Sequence, residues 1–226
     1  MQTRPTAVAL PHGMALDRGT AHRVLRNTYA LLSMTLLFSA AVASAAVAFA
    51  LPSPGLIVTL IAYFGLLFGI HKLKNRGAAV GLVFALTGFM GWTLGPLLTR
   101  TLALPAGGQA VMLALGATGA VFLALSAYAT TTKRDLSWMG GFLFAGMIVA
   151  VLAGLAAVFF EIPALALTVS AVVALLSAGL ILYETQQIVN GGETNYVLAT
   201  VSLFVSIFNL FTSLLHLFGF AGGSDD

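Results

Sequence analysis

Residues 196–220 read YVLATVSLFVSIFNLFTSLLHLFGF and contain no Asp, Glu, Lys or Arg. About 20 consecutive apolar residues are enough for a helix to cross the hydrocarbon core of a bilayer, because each residue adds 1.5 Å and all backbone polar groups are bonded inside the helix. This stretch therefore predicts a transmembrane helix.

Six further stretches of this kind precede it, separated by short turns with Pro, Gly or polar residues. Together the predicted spans cover residues 27–51, 54–70, 78–98, 109–130, 138–160, 163–183 and 196–220. No connection between them is long enough to form a domain outside the membrane. The sequence thus predicts an all-α membrane protein whose seven-helix domain covers residues 27–220, with tails at 1–26 and 221–226.

Composition excludes several classes of protein. Of the 226 residues, 59% are hydrophobic and 8% are charged, and the mean hydropathy is +1.01, whereas about 25% of a soluble domain is charged. The net charge of +3 is small and its basic residues are scattered, which argues against nucleic-acid binding. The chain has no cysteine, so disulfides, thiolate metal sites and cysteine nucleophiles are excluded.

Basic residues predict the orientation in the membrane, because Lys and Arg collect in cytoplasmic loops. A cytoplasmic N-terminus places nine of them on that side: Arg4, Arg18, Arg23, Arg26, Lys72, Lys74, Arg76, Lys133 and Arg134. Only Arg100 then lies on the other side. Residues 1–26 are expected to remain as a cytoplasmic tail, since no clear small-residue cleavage site follows the first apolar run. Seven spans place residues 221–226 outside the cytoplasm, in the periplasm of a Gram-negative cell.

Glycines lie four residues apart in three places: Gly65 with Gly69, Gly77 with Gly81, and Gly91 with Gly95. Small residues at this spacing allow helix backbones to approach each other closely. We expect them to serve tight packing inside one bundle rather than a dedicated dimer face.

A polar stripe runs along the last predicted helix. Its members follow one another at steps of 4, 3, 4 and 3 residues: Ser202, Ser206, Asn209, Ser213 and His216. This spacing places them on one helical face, which lipid would penalise. The helix is therefore expected to turn the stripe inward, where it either forms interhelical hydrogen bonds or lines a hydrated cavity.

The sixth predicted helix carries Ser170, Ser177 and Glu184 on one face if it continues past residue 183, and Glu184 is the only acid that could then lie within the membrane. If the helix continues up to the following Asn-Gly-Gly turn, Glu184 lies roughly 9 Å inside its cytoplasmic end. It would then be level with Ser202, with Ser206 about one turn deeper. Because burial disfavours an ionised carboxyl group, Glu184 is a candidate proton sensor or cation ligand. A glutamate at the water boundary is the alternative interpretation.

Enzyme motifs are absent from the sequence. It contains no H-E-x-x-H helix, P-loop, nucleophile elbow or pair of intramembrane aspartates. The histidines, His12, His22, His71 and His216, show no metal-ligand spacing. We expect no catalytic residue, metal site or cofactor.

Five segments together resemble the Bax inhibitor-1/YccA family, and its bacterial branch in particular. They are HRVLRNTY at 22–29, LPSPGL at 51–56, TGFMGWTLGPLL at 87–98, SAYATTTKRDLSWMGG at 126–141 and LYETQQIVNGGETNYVLATVSLFVSIFNL at 182–210. Their order and spacing cover nearly the whole chain. In the family's fold six helices enclose the seventh, so the resemblance implies a central seventh helix.

The resemblance also implies a function. Bacterial members of the YccA type are associated with the membrane-anchored ATP-dependent protease FtsH and its regulatory complex, which they inhibit or modulate while also being substrates. By that analogy the chain is an inner-membrane protein whose partners are the protease and the surrounding lipid. Residues 1–22 would be the cytoplasmic segment that the protease seizes, because an unfolding motor needs a loose end.

Other family members are pH-sensitive calcium leaks that close through hydrogen-bonded aspartates on the sixth and seventh helices. The corresponding positions here are Glu184 and Ser206, which makes Ca²⁺ a candidate ligand. Since a glutamate and a serine do not repel each other as two carboxylates do, pH gating does not carry over intact. Protease modulation is the leading prediction and a cation leak the alternative, while a small-molecule transporter has little beyond the number of spans in its favour.

Overall fold

A computed structural model describes residues 18–132 and 134–221, and all regular secondary structure in this part of the chain is helical. The helices are α1 (Arg18–Ala48), α2 (Leu56–Leu73), α3 (Ala78–Leu102), α4 (Gly107–Thr131), α5 (Met139–Phe159), α6 (Pro163–Val189) and α7 (Tyr196–Ala221). These 7 helices are all long and apolar enough to cross a membrane. The prediction of an all-α membrane protein with seven transmembrane helices is confirmed.

Several helices extend further than the apolar stretches from which they were predicted. The first begins at Arg18 instead of residue 27, and the sixth continues to Val189. Hydropathy marks only the part of a helix that lies in hydrocarbon, and the intervening residues 18–26, RGTAHRVLR, contain no proline that would stop the helix. The described part of the chain leaves out residues 1–17, Lys133 and residues 222–226. The predictions made for these residues therefore lie outside what the structure describes.

The seventh helix is the most buried in the bundle. It packs against α1, α3, α4 and α6, whereas α2 packs mainly against α3 and α5 mainly against α6. Leu203, Phe204 and Leu215 of α7 have no exposed surface. Four helices thus pack extensively around α7, instead of the six that the resemblance implies. The two outer helices are apolar on nearly all sides, which suits helices that face lipid.

Glycines bring α1 and α3 into close contact. A Cβ atom on Gly91 would lie 2.4 Å from the carbonyl oxygen of Ser39, and one on Gly95 would lie 2.6 Å from Cβ of Ala46. By contrast, a Cβ on Gly81 would have nothing within 4 Å. Close helix packing is therefore confirmed for the Gly91 and Gly95 pair, whereas a Cβ on Gly65 or Gly77 also meets nothing within 4 Å, so these two and Gly81 do not contribute to it.

The connections gather most basic residues at one end of the bundle. There the α2–α3 and α6–α7 connections meet, since Asn195 Nδ2 donates to the carbonyl oxygen of Lys74 at 3.1 Å. The start of α1 lies beside the ends of α4 and α6 at the same end. The basic residues of this basic end are Arg18, Arg23, Arg26, Lys72, Lys74, Arg76 and Arg134. Arg100, in the last turn of α3, lies at the opposite end.

Candidate functional site around Glu184

Glu184 of α6 and Ser206 of α7 face each other. Ser206 Oγ lies 3.1 Å from Oε1 and 3.0 Å from Oε2 of Glu184. A hydroxyl group has one proton, so Ser206 donates to one carboxylate oxygen at a time, and the similar distances describe a bond shared between the two. Ser206 is 1% exposed, so this hydrogen bond connects two membrane-spanning helices where water has little access.

Helix geometry explains why Glu184 reaches Ser206. Side chains lean toward the N-terminus of their own helix, and α6 ends at the basic end of the bundle. The Glu184 side chain therefore leans away from that end, toward the depth of Ser206. The contact is about one turn deeper than the predicted level of Ser202.

A cavity of about 240 Å³ adjoins Glu184 on the side of the basic end. Gln187 of α6, Glu193 of the α6–α7 connection and Ser202 of α7 also line it. The cavity has room for several water molecules or a hydrated cation, and its lining supplies the oxygen ligands that hard cations prefer. One carboxylate oxygen of Glu193 is already engaged in the turn, because Oε1 accepts a hydrogen bond from the Asn195 backbone N–H at 2.7 Å.

The polar stripe of α7 is only partly buried, which corrects the expectation that all of it turns inward. Ser206 and Ser213 are buried and Asn209 is half-buried, whereas Ser202 and His216 are exposed. The exposed members lie toward the two ends of the helix, and each lines a cavity there. A stripe that runs the length of a bundle must leave the core at both ends, so only its middle is enclosed.

The serines of α6 lie away from Glu184. Ser170 pairs with His216 at the opposite end, with its Oγ 2.8 Å from His216 Nδ1. Ser177 is fully buried, and its hydroxyl group has no hydrogen-bond partner among the described residues. Four predicted site residues neither line the cavity beside Glu184 nor form a hydrogen bond with Glu184: Ser170, Ser177, Asn209 and Ser213.

Two amide side chains near the basic end were not among the predicted site residues. Gln186 is 2% exposed, and it donates to the carbonyl oxygen of Arg134 and accepts from the backbone N–H of Leu136 at 3.0 Å. Asn195 accepts a hydrogen bond from the Val197 N–H at 3.0 Å and so caps α7. An Asn directly before an apolar run is a recognisable N-cap signal. No sequence signal connects Gln186 with a loop 50 residues earlier.

Known proteins are similar in sequence to this chain over most of its length. The family described as "Inhibitor of apoptosis-promoting Bax1" matches residues 21–223. The Escherichia coli K12 protein named "Modulator of FtsH protease YccA" is 50% identical over 203 residues, which are 89% of this chain and 92% of that protein. "Inner membrane protein YccA" of E. coli O6:H1 has the same identity and coverage. An uncharacterized protein of Pseudomonas aeruginosa is 50% identical over 202 residues, or 89% of this chain and 91% of its own length.

Proposed function

Because this chain belongs to the Bax inhibitor-1 family, we propose that it is a modulator of a membrane-bound ATP-dependent protease of the FtsH type, both as an inhibitor and as a substrate. The observation that carries the proposal is 50% identity, over 89% of the chain, to a protein named as a modulator of that protease. A second relative is named an inner membrane protein, and the seven spanning helices fit that location.

In the proposed orientation the basic end faces the cytoplasm and the C-terminus faces the periplasm, as the positive-inside rule requires. The 31 residues of α1 make a helix of roughly 46 Å, compared with about 30 Å for the hydrocarbon core of a bilayer. The first turns of α1, with Arg23 and Arg26, then project into the cytoplasm. The segment before Arg18 is where we propose that the protease and its regulatory complex engage the chain.

Deletion of residues 2–17 tests this segment without shortening α1. We expect the full chain to be degraded in cells in a manner that depends on the protease, and the deletion to lengthen its half-life while membrane insertion is unchanged. A variant in which a Gly/Ser sequence of equal length replaces residues 2–17 is the matched control for tail length. Unchanged turnover after the deletion would contradict engagement through this segment.

Inhibition is tested separately with the purified protease in proteoliposomes. Degradation of a reporter membrane protein should slow as the full chain is added, while ATP hydrolysis by the protease continues. Reporter degradation that does not respond to the chain at any ratio would contradict the modulator function, whatever the fate of the chain itself.

A cation leak is the second candidate, favoured by the position of Glu184 between Ser206 and a cavity at the basic end. A cation that enters this cavity would meet the Glu184 carboxylate as its deepest charged group. Calcium influx into proteoliposomes, measured at mildly acidic and mildly alkaline pH, tests the candidate with Glu184→Gln as the site variant. Ser170→Ala, outside the cavity, is the control. Flux that is lost in Glu184→Gln alone supports a leak, and equal flux in both variants contradicts it.

A further inference from the structure

A groove of about 460 Å³ lies between α3 and α7 at the end of the bundle opposite to the basic end. Its walls are mostly apolar: Leu97 comes from α3, Leu104 from the connection between α3 and α4, and Leu215 and Phe220 from α7. Leu104 is 36% exposed and Phe220 56%, so the groove opens toward the surroundings of the bundle. Hydrocarbon chains suit walls of this kind better than water does.

Two polar side chains also line the groove, Arg100 of α3 and His216 of α7. Ser170 Oγ lies 2.8 Å from His216 Nδ1 and holds the imidazole in place. Arg100 is exposed, and it is the only Lys or Arg in the described residues at this end. The groove therefore combines a hydrocarbon surface with a fixed imidazole and a permanent positive charge.

The charge of Arg100 has little acidic compensation in the described part of the protein. Among the described residues, the acidic residue at the same end as Arg100 is Glu161, which lies in the turn between α5 and α6. Neither of those helices packs extensively against α3, which contacts α1, α2, α4 and α7. The dipole of α3 favours a cation in its last turn, but it does not explain an apolar groove beside that cation.

We propose that this groove binds one anionic phospholipid from the adjacent leaflet. The phosphate lies at Arg100 and His216, and an acyl chain lies along the leucines and Phe220. The planar guanidinium group matches phosphate oxygens with paired hydrogen bonds, and basic pockets between transmembrane helices bind lipid head groups. Charge complementarity with Arg100 selects an anionic head group, and the apolar walls select a lipid over free phosphate.

Gly219 allows the groove to be filled without removing its charge. A Cβ atom at this position would lie 3.6 Å from Cγ2 of Thr101 and 3.9 Å from Cδ1 of Leu104, which are ordinary contact distances. Gly219→Ala should therefore be tolerated, whereas the branched side chain of Gly219→Leu would extend into the groove. Arg100→Gln removes the charge and keeps the groove.

The test is lipid binding to the purified full chain in detergent, measured by native mass spectrometry with phosphatidylglycerol, phosphatidylcholine and inorganic phosphate as probes. We expect phosphatidylglycerol to bind preferentially, and Arg100→Gln to weaken it by about tenfold or more, since a charge-assisted hydrogen bond is lost. Gly219→Leu should weaken it as well, while Gly219→Ala and the basic-end control Arg76→Gln should not. Circular dichroism melting confirms that each variant is folded.

Three outcomes would overturn the proposal. Undiminished phosphatidylglycerol binding in folded Arg100→Gln would show that this charge does not select the lipid. Competition by inorganic phosphate at equal strength would indicate a plain anion site. Binding that appears only after Asp225→Asn and Asp226→Asn would assign Arg100 to the acidic tail of the chain itself.

Discussion

Ser206 on α7 donates a hydrogen bond to Glu184 on α6, with its Oγ 3.0 Å and 3.1 Å from the two carboxylate oxygens. A hydroxyl group donates to a carboxylate and accepts from a protonated carboxyl group, so Ser206 satisfies Glu184 in either protonation state. It also brings no charge of its own. The contact between the helices therefore survives ionisation of Glu184, whereas a pair of carboxylates would be driven apart.

Ser206→Ala should destabilise the bundle, because Glu184 would lose its hydrogen-bond donor while remaining between two helices. We expect a loss of about 1–3 kcal/mol in the free energy of unfolding, the cost of leaving a buried polar group unpaired. Unfolding in mixed micelles measures this difference. The control is Ser202→Ala, since Ser202 is exposed and a change there should stay within about 0.5 kcal/mol. Equal losses in the two variants would contradict a structural role for the bond.

Ser206→Asp should make stability depend on pH. Two carboxyl groups in contact share a proton, and they repel each other when both ionise. The folded variant would hold the shared proton, so its stability is present at low pH and falls as rising pH removes that proton. Melting temperatures across pH measure the effect, and Ser206→Asn, of similar size without the charge, should show a much flatter profile. Parallel profiles would show that the two side chains do not stay in contact.

The seven helices could be predicted because each spanning stretch is mostly apolar, contains no Asp, Glu, Lys or Arg, and is bounded by turn residues. The ends of the helices could not. Nothing in hydropathy shows that α1 starts at Arg18, because a helix can continue past the hydrocarbon through polar residues that lack the large penalty of proline. The outer placement of α2 and α5 was equally hidden, since a helix that is apolar on all sides looks the same next to protein and next to lipid.

The candidate site was predictable in part. Glu184 stood out as a single acid in an apolar helix, and its contact with Ser206 matches the position implied by the family resemblance. The bond between Ser170 and His216 spans 46 residues, and it depends on how α6 and α7 are rotated against each other. Helical spacing assigns residues to a face of one helix, but it does not define which residue on the next helix each of them meets.

Asn195→Ala should loosen the basic end of the bundle. The side chain of Asn195 caps α7 at the N–H of Val197 and also donates to the carbonyl oxygen of Lys74 in the α2–α3 connection. Loss of an N-cap costs about 0.5–2 kcal/mol, and faster hydrogen exchange should be confined to the first turn of α7 and to that connection. Asn190→Ala is the control, because Asn190 is exposed at the end of α6. Unchanged exchange in Asn195→Ala would contradict both contacts.

Gln186→Ala should free the connection between α4 and α5. Gln186 holds the backbone of Arg134 and Leu136 through its amide group, so we expect faster tryptic cleavage after Arg134 in the folded protein. The rate is followed by gel electrophoresis under conditions that leave the helices intact. Trypsin should cleave Gln187→Ala, altered one residue further along α6, at the same rate as the unaltered chain. Identical rates in all three proteins would show that the amide does not restrain this connection.

Gly91→Ala should separate α1 from α3, whereas Gly81→Ala should not. The new methyl group at position 91 would lie 2.4 Å from the carbonyl oxygen of Ser39, and backbone atoms cannot yield as a flexible side chain does. Overpacking of this kind costs about 1–3 kcal/mol, while alanine at the open position 81 should stabilise α3 by up to about 1 kcal/mol through its helix propensity. Thermal melts of the two variants therefore shift in opposite directions. A melting temperature that does not fall in Gly91→Ala would mean that the α1–α3 contact does not require glycine at position 91.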